Sequence, residues 1–120
     1  MKELSLEKRI EWFEATLKAC CSNVNTLNDE LFLYVLFEKL SIDVASCFSE
    51  YSLGMLLDSG IISVTNKSIC LKIRDLYTTY EDDFRASAKP EVIKSMKQWK
   101  EINDLADNVW DDYINYKPQS

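Results

Sequence analysis

The sequence predicts an all-α protein: a single compact domain of five to six helices with a long C-terminal helix. Glycine and proline occur only twice each in 120 residues, too few for the many turns of a β protein. Apolar residues recur instead at three- and four-residue steps, the period of helices that bury one face. Because this length suits one hydrophobic core, residues 1–120 are interpreted as one domain.

The first predicted helix begins near Ser5, and a turn over residues 22–25 follows it. Thr26 and Asp29 have the spacing of a capping box and predict the start of a second helix. Residues 31–37 are apolar throughout, which favours a helix with neighbours on every side; a buried strand is the alternative. The core stripe predicted for the first helix is Leu6, Ile10, Phe13, Leu17 and Cys20/Cys21.

Residues 41–60 are interpreted as two short helices. The first is expected to start at Ser41 or Asp43, and the second at Ser49 or Ser52. Gly60 follows an apolar pair and precedes Ile61, the pattern of a left-handed helix C-cap. Gly54 lies inside the predicted helix, where we expect it to permit close packing of another helix.

A helix capped by Ser63 comes next, and residues 81–90 are expected to form a loop. Pro90 then suits the first position of a last helix that runs to about Tyr116 and stops before Pro118. The inward residues expected on the Ser63 helix are Val64, Ile69/Cys70, Ile73, Leu76/Tyr77 and Tyr80. The last helix has a seam with heptad-like spacing, namely Trp99, Ile102, Ala106, Val109, Tyr113 and Tyr116.

Catalytic and metal-binding signatures are missing from the sequence. There is no histidine, no glycine-rich phosphate loop, no nucleophile motif and no EF-hand spacing, so the chain is not expected to be an enzyme. No metal, cofactor or small-molecule substrate is predicted. The four cysteines lack a C-x-x-C pair and are interpreted as reduced and buried, namely Cys20, Cys21, Cys47 and Cys70.

Charge and hydropathy bear on location and partners. The N-terminus lacks the apolar core of a signal peptide, and the longest apolar run is residues 31–37, so a cytoplasmic protein without a membrane partner is expected. A net charge of −6 disfavours nucleic acid. The alternative is a helix-turn-helix transcriptional regulator that reads DNA with residues 64–77, whose candidate contacts are Asn66, Lys67, Lys72 and Arg74.

Two acidic segments are candidate partner-binding surfaces. Residues 101–112 contain five acids and no lysine or arginine, and most of these acids fall opposite the seam. Such a stripe either meets a basic partner or serves as a solvated face. Its candidate binding residues are Glu101, Asp104, Asp107, Asp111 and Asp112, flanked by Trp110 and Ile114. The second cluster is Tyr80, Glu81, Asp82 and Asp83.

The segment "CFSEYSLGMLLDSGIISVTNKSICLKIRDLY", with its D-S-G turn and its helix ending in "IRDLY", resembles the middle of bacterial immunity proteins of contact-dependent growth inhibition systems. The resemblance covers about residues 37–80. It implies a cytosolic antidote that binds, one to one, the C-terminal toxin domain of an effector, often a basic RNase or DNase. A further hypothesis is an oligomeric scaffold in which the seam pairs with a copy of itself.

Overall fold

The computed structural model describes residues 5–87 and 89–116, and all regular structure in them is helical. The radius of gyration is 14.3 Å, close to the value of about 14 Å expected for a compact domain of this length. The predicted all-α fold is confirmed. The elements are α1 (Leu6–Cys20), a 3₁₀ helix (Ser22–Thr26), α2 (Asp29–Tyr34), a π-helical segment (Val35–Lys39), α3 (Leu40–Cys47), α4 (Glu50–Asp58), α5 (Val64–Ser87), α6 (Pro90–Ser95) and α7 (Lys97–Asn115).

The core lies between α1, α5 and α7, with the rod of residues 29–47 against one side. Trp99 is fully buried at its centre. The rings of Phe32 and Phe84 meet Trp99 edge to face, with centroids 5.9 and 6.0 Å away, the arrangement that aromatic quadrupoles favour. Trp99 thus joins α2, α5 and α7. No helix among the described residues is long and apolar enough to cross a membrane.

Four of the predicted helix ends are confirmed by their hydrogen bonds. The hydroxyls of Ser5, Ser49 and Ser63 accept from backbone N–H groups three residues further on. Gly60 has a φ of 75°. Its N–H donates to the Leu57 carbonyl, and the N–H of Ile61 donates to the Leu56 carbonyl. This pair of bonds is a Schellman motif, which requires the left-handed conformation that glycine adopts at low cost.

Residues 29–47 form one continuous rod, because α2, the π-helical segment and α3 follow one another without a break. A π turn widens the helix and leaves backbone carbonyls without their usual partners. Two side chains of α5 supply the missing donors. The Tyr77 hydroxyl donates to the Leu36 carbonyl, and Arg85 Nη2 donates to the Phe37 carbonyl over 3.0 Å.

Three expectations for this part of the chain are wrong. The cap of α2 is Asn28, whose side chain accepts from Leu31 N–H, and the hydroxyl of Thr26 bonds locally instead. The expected start at Ser41 or Asp43 is absent, since the π-helical segment carries the helix straight into α3. The run 31–37 is not surrounded by neighbours. Because the rod lies on the outside of the bundle, Leu31 and Tyr34 are 48% and 57% exposed.

Gly54 and Val64 also differ from expectation. A Cβ atom on Gly54 would meet nothing within 4 Å, so no helix packs closely there. Val64 is 70% exposed, because it is the first residue of α5 and lies two residues before Asn66, the first buried residue of that helix, so it points to a different face.

The predicted loop and the predicted single last helix are both wrong. α5 continues through residue 87, because Phe84 extends its buried stripe seven residues beyond Tyr77. Pro90 begins α6 as expected, but the chain is extended at Met96 before α7 starts. Ile93 and Trp99 would point about 120° apart on one straight helix, and the break lets both lie fully buried. Ala88 and Pro118 lie outside the described residues.

Candidate partner-binding surface

The seam of α7 faces the core, as the spacing predicts. Trp99, Ile102, Ala106 and Val109 are fully buried, and Tyr113 and Tyr116 are partly buried. α7 packs mainly against α5 and α1 of the same chain. The scaffold hypothesis requires a seam that is free to pair with a second copy of the chain. The seam is instead occupied by contacts within the chain, so it offers no such face.

A polar network that the sequence did not predict fixes the inner edge of α7. Asn103 Nδ2 donates to the Cys20 carbonyl over 2.8 Å, and its Oδ1 accepts from Asn25 Nδ2 over 2.9 Å. Trp99 Nε1 donates to Asn25 Oδ1 over 2.8 Å. Asn103 is only 3% exposed, so these bonds satisfy a side chain that would otherwise be costly to bury. They tie the 3₁₀ helix to α7.

Asp107 lies one turn beyond Asn103 and faces the same junction. Its Oδ1 accepts from the backbone N–H of Ser22 over 3.0 Å, which caps the start of the 3₁₀ helix. Burial, and secondarily the nearby Asp107 carboxylate, raises the pKa of the Cys21 thiol to about 12. The sequence grouped Asp107 with the outward stripe, whereas the structure places it at the flank with a bond inside the fold.

The other acids of α7 point outward. Glu101, Asp104, Asp111 and Asp112 are exposed, and no salt bridge within residues 5–87 and 89–116 reaches any of them. Near the start of α7, Glu101 and Asp104 share a shallow groove with the side chains of Lys97 and Lys100. Asp111 and Asp112 lie on the outer face near the C-terminus of α7, and this helix has no lysine or arginine after Lys100.

The two predicted apolar anchors lie in different depressions. Trp110 is partly buried in a groove of about 540 Å³ between α7 and the end of α1, with the Lys18 ammonium 4.8 Å from the centroid of its ring. Ile114 is 57% exposed and borders a groove of about 380 Å³ that also includes Gly60 and Ile61. The acids of α7 thus lie beside apolar surface on both flanks.

The cluster on α5 is divided by the fold. Glu81 accepts two hydrogen bonds from Arg85, at 2.8 and 3.1 Å, and holds that guanidinium on the carbonyl of Phe37. Tyr80 is partly buried, while Asp82 and Asp83 are exposed. Glu81 therefore stabilises the π-helical segment, and only the two aspartates are left as outward acids.

The candidate DNA-reading residues of α5 are largely engaged within the protein. Asn66 is 1% exposed, Lys67 forms a 3.2 Å salt bridge with Glu50, and Arg74 pairs with Asp75 at 3.0 Å. Of the four, Lys72 is exposed and has no salt bridge among the described residues. A groove contact by this helix would have to break existing interactions.

All four cysteines are buried free thiols, and the part of the chain that the structure describes contains no group of three or more potential metal ligands. Comparison of the chain with protein-family models, curated proteins and solved structures finds no match. The outer face of α7 combines exposed acids with adjacent apolar side chains and is our candidate site.

Proposed function

We propose that this protein is an immunity protein that binds and neutralises the C-terminal nuclease toxin domain, an RNase by first choice, of a contact-dependent growth inhibition effector. The observation that carries the proposal is the set of outward acids on α7 that have no salt bridge among the described residues, next to Trp110 and Ile114. The resemblance of residues 37–80 to such immunity proteins supplies the class of partner.

The placement of these acids supports a role in binding, because it works against the stability of the helix. Asp111 and Asp112 lie in the last turns of α7, which ends at Asn115. Negative charge near a helix C-terminus opposes the macrodipole, at a typical cost of about 0.3–1 kcal/mol for each group. No basic residue in the last turn compensates for it. A basic partner would turn this unfavourable charge into a favourable contact.

A nuclease attracts phosphate with a basic cleft, and an acidic helix complements that cleft. Charge complementarity of this kind mainly speeds association and selects the partner, whereas buried aromatic contacts slow dissociation. In this proposal Glu101, Asp104, Asp111 and Asp112 steer the toxin domain, and Trp110 and Ile114 anchor it. The inhibitor acts as a monomer in a one-to-one complex in the cytoplasm, without nucleic acid or cofactor.

The proposal is tested by co-purifying the tagged protein with the protein encoded directly upstream, at about 0.15 M salt, where exposed charges are screened beyond roughly 8 Å. We expect a one-to-one complex and loss of the partner's nuclease activity. If the upstream protein neither binds nor has a toxic activity that this chain blocks, the immunity function is rejected.

The face is tested with a matched pair of triple variants. Asp104→Asn, Asp111→Asn and Asp112→Asn together remove three outward charges from α7 and should slow association at least tenfold. The control removes three exposed acids from other helices, namely Glu7→Gln, Glu38→Gln and Asp58→Asn. Equal binding by the two triple variants at low salt would exclude α7 as the binding face.

A further inference from the structure

The groove between the end of α1 and the C-terminal half of α7, which we call the Trp110 groove, combines an aromatic face with two carboxylates. Its lining consists of Lys18, Cys21, Ser22, Asn23, Asp107, Trp110 and Asp111, and its volume is about 540 Å³. This volume is within the range of pockets that hold small ligands, and two acids of α7, Asp107 and Asp111, belong to its lining.

The ring of Trp110 already receives a cation. The ammonium of Lys18 lies 4.8 Å from the ring centroid, within the distance at which a cation is attracted to an aromatic face. Lys18 is exposed and has no salt bridge among the described residues. A lysine ammonium is strongly hydrated and has a flexible stem, whereas an arginine guanidinium is planar, less hydrated and stacks better on aromatic rings. An incoming guanidinium can therefore displace this lysine.

The two carboxylates of the groove are placed for the same kind of ligand. The bond from Ser22 N–H uses Oδ1 of Asp107 and fixes the orientation of that side chain. The carboxylate also interacts with the Cys21 thiol, but its two oxygens offer about four lone-pair sites, so a further donor can bind. Asp111 follows one helical turn later and is exposed without a salt bridge among the described residues. Guanidinium groups donate several N–H bonds in one plane and suit such a pair of acceptors.

We propose that the Trp110 groove binds an arginine side chain of a basic protein partner. The guanidinium stacks on Trp110 in place of the Lys18 ammonium and donates hydrogen bonds to Asp107 and Asp111. This inference rests on the proposed function only for the identity of the protein that carries the arginine. Lys18 competes with the arginine for the ring of Trp110. This competition would not occur if the acidic surface attracted cations only in a general way.

The test is a titration of the ¹⁵N-labelled protein with the capped tripeptide Gly-Arg-Gly, with Gly-citrulline-Gly as the uncharged control of the same shape. Three indole N–H signals report on Trp12, Trp99 and Trp110, of which Trp99 is fully buried. We expect the arginine peptide to shift the Trp110 indole and the backbone amide of Ser22 at least three times more than the citrulline peptide does. Equal shifts with the two peptides, or no shift at Trp110, would overturn the proposal.

A pair of variants separates the groove from net charge. Lys18→Gln and Lys8→Gln remove one positive charge from the same helix, at positions that are about 15 Å apart along its axis. Because Lys18→Gln removes the competing ammonium, its affinity for the arginine tripeptide should rise at least threefold. The affinity of Lys8→Gln should stay close to that of the wild type. Identical affinities in the two variants would contradict displacement of Lys18.

The two proposals can fail separately. Tripeptide binding at Trp110 without a complex with the upstream protein would retain the arginine site and reject the immunity function. A one-to-one complex without tripeptide binding would retain the immunity function and reject the arginine site.

Discussion

The acidic segments on α5 and α7 look alike in sequence, but the fold uses their charges differently. On α5, Glu81 holds Arg85 against the Phe37 carbonyl. On α7, Asp104 and Asp111 point outward and have no salt bridge among the described residues. The comparison teaches that an acid gains a structural role where the fold places a donor within its reach, as Arg85 of the same helix is placed for Glu81, and that α7 presents its outer acids to solvent or to a partner.

Asp107 is the acid of α7 that behaves like Glu81, because its carboxylate turns toward the inside of the fold. It accepts from Ser22 N–H and lies close to the thiol of Cys21. Inward and outward acids should therefore respond differently to substitution, and the largest effect on stability is expected at alkaline pH.

The dependence of stability on alkaline pH should report on Asp107, the inward acid of α7. Burial, with a contribution from Asp107, raises the pKa of Cys21 to about 12 from an ordinary value of 9.0, and burial also raises the pKa of Cys47 to about 12. The folded chain therefore keeps these protons where the unfolded chain loses them. Between pH 9 and 12 the free energy of unfolding should fall by up to about 1.4 kcal/mol per pH unit for each buried thiol.

Denaturant unfolding from pH 7 to 12 measures this fall. Asp107→Asn removes a charge that disfavours the Cys21 thiolate, so its total loss of stability by pH 12 should be smaller than that of Asp104→Asn. The same total loss in both variants would show that Asp107 does not act on the thiol.

The hydrogen bonds that α5 donates to the π-helical segment should also contribute to stability. Tyr77→Phe removes the hydroxyl that donates to the Leu36 carbonyl and leaves that buried acceptor without its partner. We expect a loss of about 1–3 kcal/mol in the free energy of unfolding, measured by urea denaturation at pH 7. Tyr80→Phe, on the partly buried neighbouring position, is the control and should change stability less. A neutral Tyr77→Phe variant would mean that the segment does not need this donor.

A smaller effect is expected at the cap of the 3₁₀ helix. Asp107→Ala removes the acceptor for Ser22 N–H and should cost about 0.5–2 kcal/mol, the range for loss of a helix N-cap. Asp104→Ala, one turn earlier on the outer face, should be close to neutral. Thermal unfolding of both variants measures the difference. Equal losses in the two variants would show that the bond from Ser22 N–H to Asp107 does not stabilise the fold.

The smallest effect should have the opposite sign. Asp111→Asn with Asp112→Asn relieves unfavourable charge at the C-terminus of α7 and should raise the free energy of unfolding by about 0.3–1 kcal/mol at low salt. Glu81→Gln is the matched control on α5 and should lower stability, because it weakens the hold on Arg85. A loss of stability in the α7 variant would show that its acids are structural as well.

Much of the candidate site could be predicted from spacing alone. The buried seam of Trp99, Ile102, Ala106 and Val109 follows from one helical period, and so does the exposure of Asp104 and Asp111. The role of Asp107 could not be predicted, because its donor lies 85 residues earlier in the chain. A residue at the flank of a helix is assigned to the inside or the outside only by the neighbour that packs there.

The sequence by itself determined the helical class, the serine caps and the Gly60 turn, because each depends on residues within one or two helical turns. Tertiary structure decided the rest. The π-helical segment keeps its shape through donors from Tyr77 and Arg85, and α5 runs past residue 80 because Phe84 finds room in the core. The chain bends at Met96 so that Ile93 and Trp99 are both buried. Such choices depend on contacts between distant segments, whose packing free energy outweighs local preference.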